Sequence, residues 1–296
     1  MSQTLNICTI ALIGKDNSPE VSDALLTLLQ HLRQVNDGQL TVWVKAENAV
    51  VIGAPEVAAS FDKIAEFADV AIVIGGDGTL ISAGRRLAEH GVPLVGINQG
   101  RLGFMTDIAR TDMLACIDRL LAGEFTPDRR MLLEAQVWRA GRQVFQTVAL
   151  NDVVVNKGDI GRLIEMEVRV DGEFLYVLRA DGMIVATPTG STAYALSANG
   201  PILHPAVPGI ALVPLCPHAL TYRPITIADS SRVDLALLAP YDARLHFDGQ
   251  SHFDALAGDT VRIVRSAHVV TLLHPPGYSY FAMLREKLHW SATPKH

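Results

Sequence analysis

The chain is poor in cysteine: Cys8, Cys116 and Cys216 are the only three among 296 residues, an odd number spaced about 100 residues apart. That spacing supports neither a disulfide framework nor a CxxC metal or redox site, and each thiol is expected to act as a small buried hydrophobe. Long apolar runs are also missing. Val70 to Ile74, and Val233 to Ala239 with Asp234 inside it, fall far short of the ~20 residues that span a bilayer, so no membrane helix is expected. There is no basic surplus either: 25 Lys+Arg face 31 Asp+Glu, a net charge of −6. Non-specific binding to nucleic acid or to an anionic membrane needs the opposite balance. Met1 to Ile13 has no basic leader and runs into Gly14-Lys15-Asp16 instead of a cleavage site. It reads as a first strand, and the protein as cytoplasmic. No GxGxxG, no GxxxxGK[ST] and no HExxH occurs, which leaves the dinucleotide fingerprint, the P-loop and a protein-held zinc ion unsupported.

What is present is apolar material, 49% of the residues, over a length that suits one large or two ordinary domains. The first part alternates strand and helix patterns. Leu5 to Ile13, Thr41 to Val44, Val70 to Ile74 and Pro93 to Ile97 read as strands. Val21, Leu25, Leu28, Leu29 and Leu32 recur at helical spacing, as do apolar residues in Phe61 to Phe67, Leu80 to His90 and Thr111 to Leu121, the last with Thr111 as N-cap. Repeated β-then-α order with continuous apolar strands predicts a parallel sheet covered on both faces. After Pro127 the pattern changes to hairpins, such as Met166 to Phe174 around Asp171-Gly172, and only Thr192 to Asn199 keeps helical spacing. Tyr280 to Trp290 turns helical again, with Phe281, Leu284 and Leu288 on one face that needs a partner surface. The expected architecture is an α/β domain with a parallel sheet (1–125), an all-β domain (126–275), and a C-terminal helix (276–296) returning to complete the first.

Three stretches carry chemistry. Ile74-Gly75-Gly76-Asp77-Gly78-Thr79 lies between a buried strand and a helix. Its glycines let backbone approach a ligand, and the N–H groups of Gly75, Gly76, Gly78 and Thr79 at a helix start suit a phosphate. Asp77 would repel that phosphate unless it faces a hydroxyl proton or a metal ion, and phosphoryl transfer to an alcohol needs both. The plain alternative is a strand-to-helix turn with Asp77 as a cap. Gly96 to Phe104 forms a second Gly-rich turn, which at neighbouring strand ends would converge on the same crevice. Thr187-Pro188-Thr189-Gly190-Ser191-Thr192-Ala193-Tyr194 follows a strand with hydroxyls, small residues and one aromatic, a set that suits a flat ring and a ribose.

These stretches closely resemble the bacterial NAD kinases over nearly the whole chain, through Gly75 to Thr79, Asn98 to Phe104, Asn151-Asp152, Asp181-Gly182 to Pro201-Ile202, and His274-Pro275 with Tyr278 to Phe281. GGDG is shared with lipid kinases and phosphofructokinases; the Thr187 to Tyr194 stretch is far more specific. The resemblance implies transfer of the γ-phosphoryl group of ATP, or of polyphosphate, to the 2′-hydroxyl of the adenosine ribose of NAD. It implies that Asp77 contacts that ribose and is the catalytic base. It places Gly78, Asn151, Asp152, Arg162, Arg179, Asp181, Thr192, Ala193, Tyr194, Ala195, Leu196, Ser197 and Gln250 around the dinucleotide. Asp152 stands where the family commonly has a glutamate. A divalent cation, Mg²⁺, is expected to arrive with ATP, with no protein-held metal, and the family suggests a homo-oligomer, dimer or tetramer. A lipid kinase sharing GGDG and a non-catalytic NAD sensor are the rivals; the hydroxyl-rich stretch argues against the first and Asp77 in its glycine setting against the second. The active site is expected where the two domains meet, with phosphate charge met by Mg²⁺, backbone amides and a few arginines.

Overall fold

The computed structural model describes residues 7–16, 18–35, 39–100, 103–158 and 163–290. It divides into two compact units, Met1–Arg129 with Val270–His296, and Arg130–Val269. Both borders fall inside long strands, Thr126–Arg139 and Thr260–His274, not in linkers.

In the first unit the strands Ala58–Ala59, Thr41–Lys45, Thr9–Gly14, Val70–Ile74 and Leu94–Asn98 lie side by side in that order, all parallel. Numbered along the chain this is 3-2-1-4-5, a doubly wound order whose reversal falls between Thr9–Gly14 and Val70–Ile74. Ligands bind at such reversals, outside the carboxyl ends of the strands. The central strands are buried throughout because helices cover both faces, which is why they read as unbroken apolar runs. Val21, Leu25, Leu28, Leu29 and Leu32 of the helix Pro19–Val35 are all buried at the expected spacing. Ser60 caps the helix Phe61–Phe67 by accepting from Lys63 N at 3.3 Å. The helix expected from Thr111 starts instead at Met113, with Asp112 in the capping position, because Arg110–Asp112 forms a separate tight turn ahead of it.

Val270–His296 belongs to this unit, and Leu272 pairs in parallel with Leu94. The C-terminal helix runs Tyr280–Leu288, with Ser279 as its cap. Its buried residues are Tyr280 and Leu284, whereas Phe281, expected on the inner face, is 61% exposed. Tyr280 and Leu284 are four apart and share a face; Phe281 is rotated off it by one position.

The second unit is built of two antiparallel sheets. One runs Ile225–Ala228, Gly209–Leu215, Gly182–Ala186, Asp152–Lys157, Ala243–Phe247 and Ser251–Ala255. The other includes Glu173–Ala180, Ile164–Val170 and Val233–Leu237. Their inner faces interdigitate in one core through Val153, Val155, Met183 and Leu245 on one side and Met166, Val168, Leu235 and Ile263 on the other. The central strands of the first sheet bury their outer face too. Val154, Ile184, Ala186, Ala211 and Val213 pack with Ala195 in a second cluster, so these antiparallel strands read as continuous apolar runs without alternation. The hairpin turns Ala140-Gly141, Asp171-Gly172 and Asp248-Gly249 each have two residues at positive φ. The helix expected over Thr192 to Asn199 is reduced to one turn, Tyr194–Ser197, preceded by the tight turn Gly190–Thr192.

The cysteines depart from expectation. Cys8 and Cys216 are exposed and Cys116 is half-buried, all three as free thiols. Cys8 precedes its strand, and Cys216 sits at φ 44° in the turn that ends Gly209–Leu215, so neither is carried into a core. Burial raises the Cys116 thiol above its ordinary range, with Asp112 and Asp107 adding to the rise.

Candidate active site

Strand Val70–Ile74 ends at the carboxyl edge of the parallel sheet and delivers Gly75 and Gly76 directly into the helix Asp77–Leu87, with Gly76 as N-cap. Gly75 is buried, and its N–H donates to Ile97 O at 2.9 Å, tying the turn to the next strand. A side chain at Gly75 would meet Thr79 Oγ1 at 2.7 Å, whereas Gly76 and Gly78 face open space. Those two positions leave room for a ligand to approach a helix start.

Asp77 does not act as a cap. Its carboxylate accepts four hydrogen bonds from the loop after the neighbouring strand: Phe104 N to Oδ2 at 2.7 Å, and Met105 N, Thr106 N and Thr106 Oγ1 to Oδ1 at 3.1, 3.1 and 3.0 Å. Thr106 is fully buried and is oriented in turn by Asn98, whose Nδ2 donates to Thr106 Oγ1 at 2.9 Å. Gly103 closes the turn, donating to Thr106 O at 3.1 Å, and a Cβ there would stand 1.9 Å from Asp77 Oδ1. The two glycine-rich turns thus meet around one carboxylate, as their placement on adjacent strands suggested. Thr106 was not among the expected site residues, since a single threonine two residues beyond the motif carries no signal by itself.

In the second unit, a cavity of about 380 Å³ is lined by Asn151, Asp152, Val154, Asn156, Ala193, Tyr194, His246, Asp248 and Gly249. Four of the expected dinucleotide residues, Asn151, Asp152, Ala193 and Tyr194, therefore share one pocket. Asp152 is 4% exposed; burial, with the Asp248 charge beside it, pushes its carboxyl up to about 7. Asn151 Oδ1 is buried with no hydrogen-bond partner, a state that water or a ligand normally relieves. Burial also pulls His246 below the usual imidazole range, and Arg244 and His252 add like charge.

Asp248, at φ 55° in the Asp248-Gly249 turn, organises this pocket: its carboxylate accepts Leu150 N, Asn151 N and Asp152 N at 2.9, 2.7 and 3.1 Å. Neither Asp248 nor His246 was expected. An Asp-Gly turn between alternating strands marks the hairpin, and only the pairing of Phe247 with Val153 brings it to Asn151. Gly190 fits the same junction, since a Cβ on it would lie 2.0 Å from Asn151 O.

The hydroxyls expected to suit a ribose are already donated to backbone carbonyls, two within their own loop and one outside it. Thr187 Oγ1 donates to Leu150 O at 2.6 Å, Ser191 Oγ to Pro188 O at 2.6 Å, and Thr192 Oγ1 to Thr189 O at 3.1 Å. They shape the turn that presents Ala193 and Tyr194. Ala195 is buried in the outer core cluster, Leu196 is half-buried and Ser197 exposed. Asp181 pairs with Lys157 Nζ at 2.6 Å, Arg179 lies 3.6 Å from Glu165, and Gln250 is exposed in the Asp248 turn; none of the three lines the cavity. Arg162 lies outside the described residues. Among those described, no group of three or more His, Cys, Asp or Glu is placed to hold a metal ion.

Residues 12–125 match the family described as ATP-NAD kinase N-terminal domain, and residues 150–274 the ATP-NAD kinase C-terminal domain. The NAD kinase of Aromatoleum aromaticum is 61% identical over 98% of this chain and 96% of its own length. That of Azoarcus sp. is 58% identical, over 97% of this chain and 98% of its own. The chain belongs to the ATP-NAD kinase family. It is an ATP-dependent kinase that phosphorylates NAD to NADP. Solved structures agree in fold: yeast NADH kinase, crystallised with NADH, superposes with a TM-score of 0.90 at 23% identity, covering 98% of this chain and 89% of that one. An NAD kinase from Archaeoglobus fulgidus, solved with ATP, gives 0.74 at 23% identity over 95% of this chain and 98% of that one. Among the described residues no helix is long and apolar enough to cross a membrane.

Proposed function

We propose that Asp77 is the catalytic base of this NAD kinase, acting on the 2′-hydroxyl of the adenosine ribose, and that the pocket of Asn151, Asp152 and Tyr194 takes a nucleoside moiety of NAD. The observation that carries the reading is the distribution of donors on Asp77. A carboxylate has about four lone-pair sites, two per oxygen. Oδ1 accepts three hydrogen bonds and Oδ2 only one, so Oδ2 is the atom with capacity for a substrate hydroxyl. A carboxylate is far too weak a base to deprotonate an alcohol outright. Asp77 therefore orients the hydroxyl, and takes its proton late, as the bond to phosphorus forms. The transition-state charge on the phosphoryl oxygens is met at the helix start around Gly76 and Gly78, which face open space; the N–H groups of Gly75 and Thr79 are already donated to Ile97 O and Gly76 O.

The divalent cation, Mg²⁺ in this reading, is part of the nucleotide substrate, bound to its phosphates. The cavity of about 380 Å³ lies at the small end of ligand pockets, a size suited to one nucleoside and not to a whole dinucleotide. Asn151 Oδ1 supplies an acceptor for a base amino group or a ribose hydroxyl. Arg162, Arg179, Asp181, Thr192, Ala195 to Ser197 and Gln250 remain assigned to the surroundings of NAD by family likeness.

The reading keeps a cytoplasmic enzyme acting as a homo-oligomer. The outer strand Glu173–Ala180 supports the second point, since it leaves Phe174, Leu175 and Val177 at 52%, 38% and 40% exposure. The test is NADP⁺ formation by the purified protein with Mg²⁺ and NAD, with ATP and polyphosphate as alternative donors, compared with Asp77→Asn. Near-native turnover by that variant removes Asp77 from the base role. Phosphate appearing on a sphingoid base, and none on NAD, overturns the substrate assignment.

A further inference from the structure

His274 is 1% exposed, yet both its ring nitrogens face carboxylates: Nδ1 lies 2.9 Å from Asp107 Oδ2 and Nε2 3.4 Å from Asp128 Oδ2. The Tyr278 ring lies flat on it, with centroids 3.7 Å apart and planes within 4°. A buried histidine–carboxylate cluster is a poor way to gain stability, because well-packed apolar residues of the same volume do as well or better. Its use must be sought in what it holds.

Asp107 directly follows Phe104-Met105-Thr106, whose three N–H groups and one hydroxyl make all four hydrogen bonds to Asp77. The donor segment thus has two anchors. Asn98 holds it at the Thr106 hydroxyl, 2.9 Å away, and His274 holds the next residue by its carboxylate. Thr106 and Asp107 are joined by one rigid peptide unit, so a displacement of Asp107 is passed to the Cα of Thr106, which carries the N–H and Oγ1 that fix Asp77 Oδ1. His274 itself is the last residue of the strand Thr260–His274, in the part of the chain that returns to the first unit. A ring with two nitrogens is the side chain that can answer two carboxylates on opposite edges while stacking on an aromatic face.

We infer that His274 is a positioning residue for the phosphoryl transfer: its clasp on Asp107 holds the 104–106 loop so that Asp77 keeps its working orientation. The inference rests on the assignment of Asp77 as base. His274→Phe keeps the ring and its stack on Tyr278 and removes both nitrogens. It is expected to lower kcat about 10- to 100-fold, the cost of a small misplacement of a catalytic group, with KM for ATP unchanged within about twofold. His274→Gln restores one donor and is expected to recover part of the loss.

The decisive measurement is the cross with Asp77→Asn. If His274 acts through Asp77, the double variant is no more than about threefold slower than Asp77→Asn alone. A His274→Phe enzyme within twofold of wild-type kcat overturns the inference, as does a loss that multiplies undiminished in the Asp77→Asn background. Failure of both His274 variants to fold also overturns it, by assigning the cluster to stability. Should Asp77→Asn itself turn over normally, the assignment of Asp77 falls and this inference with it; Asp77→Asn inactive with His274→Phe normal removes only the inference.

Discussion

The two units prepare their central carboxylates in opposite ways. Asp77, in the α/β unit, is half-buried and surrounded by donors: four hydrogen bonds from three consecutive residues. Asp152, in the β unit, is 4% exposed with a second carboxylate, Asp248, beside it, and Asp248 takes the three nearby N–H groups. The first arrangement fixes the orientation of a carboxylate, which in the proposed reading meets a substrate proton. The second withholds solvation and lifts the acid to about 7, so Asp152 changes charge near neutrality. In the proposed reading rigid aim serves the chemistry and adjustable charge the binding, so each unit is expected to leave its own kinetic signature.

The sharpest break of this comparison is Asp77→Asn, expected to lose at least ~10²-fold in kcat, the lower end of general-base assistance, while NAD binding by calorimetry persists. Equal loss in binding and turnover would mean that Asp77 serves both functions. Two glycine variants separate the units next. Gly103→Ala drives a Cβ to 1.9 Å from Asp77 Oδ1 and is expected to cut kcat about tenfold to a hundredfold. Gly190→Ala drives one to 2.0 Å from Asn151 O and is expected to raise KM for NAD by about tenfold, with kcat less affected. Steady-state kinetics of the pair tests whether the division of labour holds.

A smaller effect concerns pH and stability. The folded-state pKa of Asp152 is raised, so the folded protein holds a proton there that the unfolded chain has released. That contribution is intact below pH ~4 and is lost as pH rises through about 7. Asp152→Asn removes the charge. It is expected to be little different from wild type at pH 4 and more stable at pH 8 by about 2–4 kcal/mol, read by urea denaturation. Smallest is Asp248→Asn. Removing the neighbouring charge should move the Asp152 midpoint down, seen by NMR titration of its carboxyl; an unmoved midpoint would assign the shift to burial alone.

Much of the site was visible along the chain. Gly75 to Thr79 and Asn98 to Phe104 announce themselves as glycine-rich turns after apolar strands, because a parallel sheet leaves unbroken hydrophobic runs between them. Thr106, Asp248 and His246 were not visible. They reach the sites through pairings across distance, Leu94–Asn98 with Val70–Ile74 in one unit and Ala243–Phe247 with Asp152–Lys157 in the other. The threonine and serine hydroxyls of the 187–192 stretch misled for a related reason: composition shows a hydroxyl but not that a backbone carbonyl, of its own loop or of a neighbouring segment, has already taken it.

The scarcities of this sequence set its class. Few cysteines, no spanning run and an acidic balance left a globular fold, and the order of strand and helix patterns made the first unit α/β. What tertiary structure alone decided is which atoms meet. It kept two of the three cysteines on the surface and turned Phe281 outward. It wrapped Asp77 in the 104–106 loop and set His274 between Asp107 and Asp128. The physical reason is range: periodicity and turn chemistry act over a few residues and leave their mark in the sequence. The hydrogen bonds that orient these carboxylates join residues tens of positions apart, and they exist only once the sheets have closed.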